Sequence, residues 1–171
     1  MKINKSSILN GITTSRIVFA FIFLYLFVNG LKIESIAVFL VAILTDVFDG
    51  YFARKFDLSS SAGAYFDIIA DFILVLIAFT AFILHGIYPY WLLILISLVF
   101  LQFIVTSKYK LLIYDPIGKY YGAFLFLMIL ITLIVPTSAF YDFLLYFIII
   151  FTVISLMSRY LFFIFRKSVA E

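Results

Sequence analysis

The chain contains no cysteine, which excludes disulfides, thiol nucleophiles, zinc–thiolate sites and iron–sulfur clusters. Charge is almost as scarce: 12% of residues are Asp, Glu, Lys or Arg, against about a quarter in an ordinary soluble domain. No basic low-complexity tract with interleaved aromatics occurs, so nothing in the chain points to nucleic acid. What fills the space is apolar. Such residues make up 67% of the chain, with 23 phenylalanines among 171 residues and a mean hydropathy of +1.27. A soluble fold of this size could not cover that much apolar surface, so lipid is the expected solvent. The length suits one domain spanning 1–171.

A bilayer core about 30 Å thick needs about 20 residues of helix to cross it. Segments of that kind lie near 12–29, 33–54, 61–85, 90–107, 117–135 and 139–165. The breaks between them are short: Asn29-Gly30, Asp57-Leu58-Ser59, His85-Gly86 with Pro89, Lys108 to Pro116, and Pro136-Thr137-Ser138. Asp115 followed by Pro116 reads as an N-cap and first helical position, and Ser59, Ser60 and Ser61 offer a cap to the third segment. The first segment has the basic flank and apolar run of a signal peptide. Asn29-Gly30-Leu31-Lys32 is a poor cleavage site, however, so it is expected to stay as a helix.

Lys and Arg placement sets the expected orientation. With six crossings, Lys2, Lys5, Arg16, Arg54, Lys55, Lys108, Lys110, Lys119, Arg159, Arg166 and Lys167 fall on one side and only Lys32 on the other. The expected architecture is therefore all-α, an integral membrane bundle of six transmembrane helices with both termini cytoplasmic. Tyr109, Tyr114, Tyr120 and Tyr121 would line the cytoplasmic interface; Tyr88, Tyr90 and Trp91 would line the outer one.

The second and third segments are apolar over only part of their length. The remainder, Thr45 to Phe72, holds four of the nine acidic residues: Asp46, Asp49, Asp67 and Asp71. Spacings of three and four put each pair on one helical face. Gly50 and Ala53 share the first face and Gly63 the second, small residues that let a ligand approach the backbone. If the second helix ends near Arg54 and Lys55, Asp49 lies about 8 Å inside it and Asp46 about 12 Å, given a rise of about 1.5 Å per residue. Each aspartate at mid-membrane costs about 3 kcal/mol even on the lenient insertion scale. Clustered, they repel one another, so cations must sit between them, and Arg54 alone cannot balance four carboxylates. Hard oxygen ligands without His or Cys suit Mg²⁺ or Mn²⁺ and argue against zinc. A lone membrane aspartate is often only a hydrogen bond between helices; four in paired register are hard to read that way. An ion pathway would spread its charges through the membrane depth, whereas these gather toward the cytoplasmic half. That suits a cavity open to one side, as in an enzyme.

These residues resemble the signature of the CDP-alcohol phosphotransferase (CDP-alcohol phosphatidyltransferase) family, D-x-x-D-G-x-x-A-R, eight residues, G-x-x-x-D-x-x-x-D. Asp46, Asp49, Gly50, Ala53, Arg54, Gly63, Asp67 and Asp71 match it without a gap. Asn10, Thr13 and Arg16 look like the N-x-x-T-x-x-R opening of several members. The resemblance implies a membrane phospholipid-synthesising enzyme acting on a CDP-linked lipid donor and a small alcohol acceptor. It implies two divalent cations, Mg²⁺ or Mn²⁺, bound by the four aspartates and gripping the diphosphate. Asp71 would be the general base, and CMP would be released. Asp49, Gly50, Ala53, Arg54 and Gly63 would bind the CDP moiety. A homodimer in the cell membrane, with its active site facing the cytoplasm and lipid tails between helices, is implied too.

For the acceptor, Lys119 and Arg159 are the candidates to bind a phosphate or carboxylate. The bland alternative is that they serve the positive-inside rule and anionic lipid. Gly118 and Gly122, which flank Lys119, read as small-residue helix packing. The opening motif resembles glycerophosphate-transferring members, which favours glycerol 3-phosphate. Those members usually carry Lys after the last aspartate, where this chain has Phe72, so inositol phosphate or serine stays open. The sequence does not choose between a diacylglycerol and an archaeol donor.

Overall fold

Helix boundaries in this chain fall where the backbone turns on a glycine or where the apolar run is interrupted. A computed structural model describes the backbone at residues 5–55, 61–107 and 118–169, and the side chains within these at 14–48, 51, 55, 65–105, 118 and 120–162. Among the described residues there are six α-helices and no strand. They are α1 (Lys5–Val28), α2 (Lys32–Lys55), α3 (Ser61–Leu84), α4 (Trp91–Ser107), α5 (Tyr121–Ile134) and α6 (Ser138–Val169), with a 3₁₀ turn at Gly118–Tyr120 ahead of α5. Apart from the earlier start of α1, each agrees with the segment expected from sequence to within about one turn. The expected helix start at Asp115-Pro116 and the serines Ser59 and Ser60 lie outside the described residues.

Two described stretches, Tyr65–Leu84 and Ser138–Phe162, are long and apolar enough to cross a membrane. The apolar stretches Thr14–Val28, Trp91–Val105 and Tyr121–Ile134 are shorter. Large apolar side chains such as Phe21, Ile94, Phe143, Ile150 and Met157 are exposed on these helices, the surface expected of a chain in contact with lipid.

The chain divides at His85 and Gly86 into two compact units. In the first, α1 packs along both α2 and α3 and is the central helix of the three. Its buried face is Arg16, Ala20, Phe23 and Phe27; that of α2 is Ser35, Phe39 and Ala42; that of α3 includes Ala70, Leu74, Ala78, Ala81 and Phe82. Each follows the three-and-four spacing of one helical face. Alanines on these faces let the helix axes approach closely, while phenylalanines fill what remains. The Phe23 ring lies 5.7 Å from Phe39 and 6.4 Å from Phe82, and Phe27 lies 5.2 Å from Phe82 and 4.9 Å from the His85 ring. These pairings run α2 antiparallel and α3 parallel to α1. The turn from α1 to α2 requires its glycine. Gly30 sits at φ +78°, its N–H donates to Phe27 O and that of Leu31 to Leu26 O, both at 3.0 Å. This is the left-handed helix stop for which glycine carries no Cβ penalty.

In the second unit α6 packs against α4 and α5. Its core of Leu92, Ile96, Leu125, Ile129, Leu133, Leu144 and Ile148 is crossed by two hydroxyl contacts. Tyr88 and Thr132 oxygens are 2.7 Å apart, and those of Tyr121 and Thr152 2.9 Å. Each threonine already donates to a carbonyl of its own helix, Met128 O and Ile148 O, so the tyrosine is the donor in both. Tyr88 and Tyr121 were expected in the interfacial belts; both are buried instead. A buried phenol needs a partner, and here a neighbouring helix supplies one. Tyr90 and Tyr120 remain exposed.

Candidate active site

Three helices bring the charged residues together because α1 lies against both carriers of aspartate. The α1 face Phe27, Phe23, Ala20 continues one turn further to Arg16, which is wholly buried. The α2 face Ser35, Phe39, Ala42 continues by the same spacing to Asp46, and the α3 face Ala78, Leu74 continues to Asp71 and Asp67. Antiparallel α2 and parallel α3 place these polar ends at one level. Arg16 Nη1 stands 3.0 Å from Asp46 Oδ1 and donates to Asp71 Oδ1 at 2.5 Å, and Nη2 lies 4.0 Å from Asp67 Oδ1. One guanidinium is thus shared by three carboxylates on two helices.

The carboxylates are less enclosed than their counter-ion. Asp46, Asp67 and Asp71 side chains are 37%, 40% and 28% exposed while Arg16 is at 0%. The arginine forms the floor of the cluster and the acidic groups form its accessible face. Among the described residues, the one positive charge of Arg16 faces three carboxylates. Charges this close interact strongly wherever water is sparse, so further cations are favoured there. The donors are all carboxylate oxygens, a set suited to Mg²⁺ or Mn²⁺. Among the described residues no three acidic or imidazole groups converge tightly enough to hold one ion.

Of the residues expected from sequence, Asp46, Asp67 and Asp71 are brought together. Asp49, Gly50, Ala53 and Arg54 follow on α2 and Gly63 lies in the first turn of α3; their side-chain surroundings lie outside the described residues. Lys119, expected within the fifth segment, falls in the 3₁₀ turn before α5; its side chain also lies outside the described residues. Glycine at the head of that turn is a poor helix former. Arg159 belongs to the second unit. It is 5% exposed, with its guanidinium carbon 4.7 Å from the centre of the Phe103 ring, a cation–π stacking. The residue whose place the sequence reading missed is Arg16, assigned there to the opening motif and to the cytoplasmic charge count. Arg54, named there as one cation that alone could not balance four carboxylates, has its side chain outside the described residues.

The fold and this arrangement define a membrane-type helical protein with an acidic site. The chain belongs to the CDP-alcohol phosphatidyltransferase family, whose model matches residues 7–158. Members generally depend on a divalent cation. Over 78 residues it is 41% identical to the CDP-diacylglycerol--glycerol-3-phosphate 3-phosphatidyltransferase of Rickettsia prowazekii, covering 44% of this chain and 42% of that one. The enzyme of the same name from Wigglesworthia glossinidia brevipalpis is 32% identical over 92 residues, 54% of this chain and 50% of that one. A cardiolipin synthase (CMP-forming) / mitochondrial hydrolase fusion protein of Schizosaccharomyces pombe is 44% identical over 62 residues, 36% of this chain and 10% of that one. The chain thus spans half or less of the length of these curated relatives.

Proposed function

We propose that this chain moves a phosphatidyl-type group from a CDP-linked lipid, built on diacylglycerol or archaeol, to the hydroxyl of glycerol 3-phosphate, releasing CMP. The observation that carries the reading is the convergence of Asp46, Asp67 and Asp71 on Arg16 in a member of this family. The names of two relatives, both CDP-diacylglycerol--glycerol-3-phosphate 3-phosphatidyltransferases, support the acceptor. Asp71 takes the proton of the acceptor hydroxyl. That oxygen bonds to the phosphorus on the lipid side of the diphosphate, and the bond from this phosphorus to the CMP oxygen breaks. Two divalent cations, Mg²⁺ or Mn²⁺, held by Asp46, Asp49, Asp67 and Asp71, would compensate charge on the diphosphate and the leaving group. Asp49, Gly50, Ala53, Arg54 and Gly63 form the nucleotide-binding face, and Lys119 and Arg159 take the acceptor phosphate.

The proposed setting is the cell membrane. The whole chain 1–171 works as one domain of six crossings with both termini cytoplasmic, and two copies associate. Lys and Arg placement supports the orientation. Because the chain lacks cysteine, single cysteines at Lys2 and Lys32 can be labelled from either side; reaction of both from the same side would refute it. Cross-linking in native membranes tests the dimer, and a monomer at every protein concentration would sink it.

The deciding assay is CMP release from CDP-diacylglycerol or CDP-archaeol, offered glycerol 3-phosphate, inositol phosphate or serine. Glycerol 3-phosphate is expected to exceed the others by at least about tenfold in kcat/KM, as a site built for one polar acceptor allows. Preference for another alcohol would overturn the acceptor, and release without any acceptor would overturn the transfer. Arg159→Gln is expected to raise KM for glycerol 3-phosphate about 10- to 100-fold, the worth of a charge-assisted hydrogen bond, with kcat little changed. An unchanged KM would return Arg159 to a packing role over Phe103.

A further inference from the structure

We infer that Arg16 is a positioning residue that competes with divalent cations for the aspartate face, and so sets both cation affinity and the register of α2 against α3. The inference rests on the divalent-cation reading of the four aspartates given above.

Arg16 belongs to neither helix that carries the acidic residues. It stands on α1, which packs along both, and one nitrogen, Nη1, reaches Asp46 of α2 at 3.0 Å and Asp71 of α3 at 2.5 Å. The second nitrogen lies within 4.0 Å of Asp67. A guanidinium does not shed its proton in a protein, so this charge stays in place whatever else binds. Any cation drawn to these carboxylates must share their oxygens with Arg16 or displace it. Two ligands that contend for one set of groups weaken each other by the same factor. Deleting the built-in one must therefore strengthen the other. It must also release Asp46 and Asp71 from their common anchor, leaving α2 and α3 with like charges facing each other and no fixed spacing between them.

The planar fork of arginine matters here as well as its charge. A lysine ammonium is a compact point charge on a flexible stem and lacks the rigid fork, so Arg16→Lys keeps the charge and loses part of the bridging. The two substitutions separate charge from geometry.

The test uses the full chain in mild detergent, with Mn²⁺ binding followed by the electron paramagnetic resonance of the free ion and thermal midpoints taken in chelator and in saturating Mn²⁺. Arg16→Gln is expected to bind Mn²⁺ about 5- to 50-fold more tightly than the native chain, within the usual span of coupled sites. Its midpoint should fall in chelator and recover most of the loss with Mn²⁺, a larger metal-induced rise than the native chain shows. Its kcat should drop about 100-fold, as loss of catalytic placement costs. Arg16→Lys should lie between the two in Mn²⁺ affinity and regain part of kcat. Equal or weaker Mn²⁺ binding by Arg16→Gln, with an equal metal-induced rise in midpoint, would overturn the inference. If Arg16→Gln does not accumulate, the Arg16→Lys titration decides alone, with native-like or weaker affinity counting against it. A native chain that neither binds Mn²⁺ nor needs a divalent cation for CMP release would overturn the metal reading itself, and this inference with it.

Discussion

Replacing Asp71 by asparagine is expected to lower kcat for CMP release by about 10²- to 10⁴-fold, the usual worth of a positioned general base. The two side chains have nearly the same shape, and the asparagine carbonyl still accepts a hydrogen bond from Arg16 Nη1. Placement is therefore largely kept while the proton-accepting carboxylate is lost. Arg16 engages Asp71 Oδ1, and so fixes where the second oxygen points. The carboxyl, 28% exposed, can meet an acceptor without a rearrangement of α3. The loss should appear in kcat, with KM for the acceptor changed much less, because the interaction removed is one made in the transition state. A variant that melts like the native chain and keeps kcat within about threefold would remove Asp71 from the role of base.

The shared faces of the aspartates were legible in the sequence because helical register is local, and the structure brings Asp46, Asp67 and Asp71 together. Carboxylates three or four apart share a face wherever the helix goes, and their cost in an apolar helix marks them as functional. The six helices were legible for a related reason, since Asn29-Gly30, His85-Gly86 and Pro136 interrupt long apolar runs. Arg16 was not. Its partner Asp71 is 55 residues away, and nothing local says that α1 is the helix lying against both α2 and α3. A signal was nevertheless present. Arg16, Ala20, Phe23 and Phe27 form one stripe, and an arginine heading an apolar stripe must be buried with an acidic partner. Weighing Arg16 by its stripe rather than by its side of the membrane would have put it among the aspartates. Tyr88 and Tyr121 were misjudged for a similar reason. Aromatic residues near helix ends resemble belt residues until a threonine on another helix is seen to accept their hydroxyl.

The fold that carries the site depends on packing far from it, and Phe82→Ala is expected to lower unfolding stability by about 2–4 kcal/mol. Phe82 is fully buried. It stands edge-on to Phe27 at 5.2 Å, Phe23 at 6.4 Å and Phe79 at 5.9 Å. It lies about 16 Å along α3 from Asp71 at about 1.5 Å per residue, too far to touch substrate held there. Lipid is as apolar as the ring, so little transfer energy from water is at stake and the helices are held by close packing. What the substitution costs is the cavity between α1 and α3, whose lining loses its contact partners. The measurement is the unfolding midpoint in mild detergent, with CMP release read well below it, where activity should persist. Phe143→Ala, at a side chain 60% exposed on α6, is the matched control and should stay within about 0.5 kcal/mol of the native chain. An equal loss at both positions would mean that apolarity alone holds the bundle. A loss confined to Phe82 would mean that the interlocked rings of α1 and α3 hold these helices together.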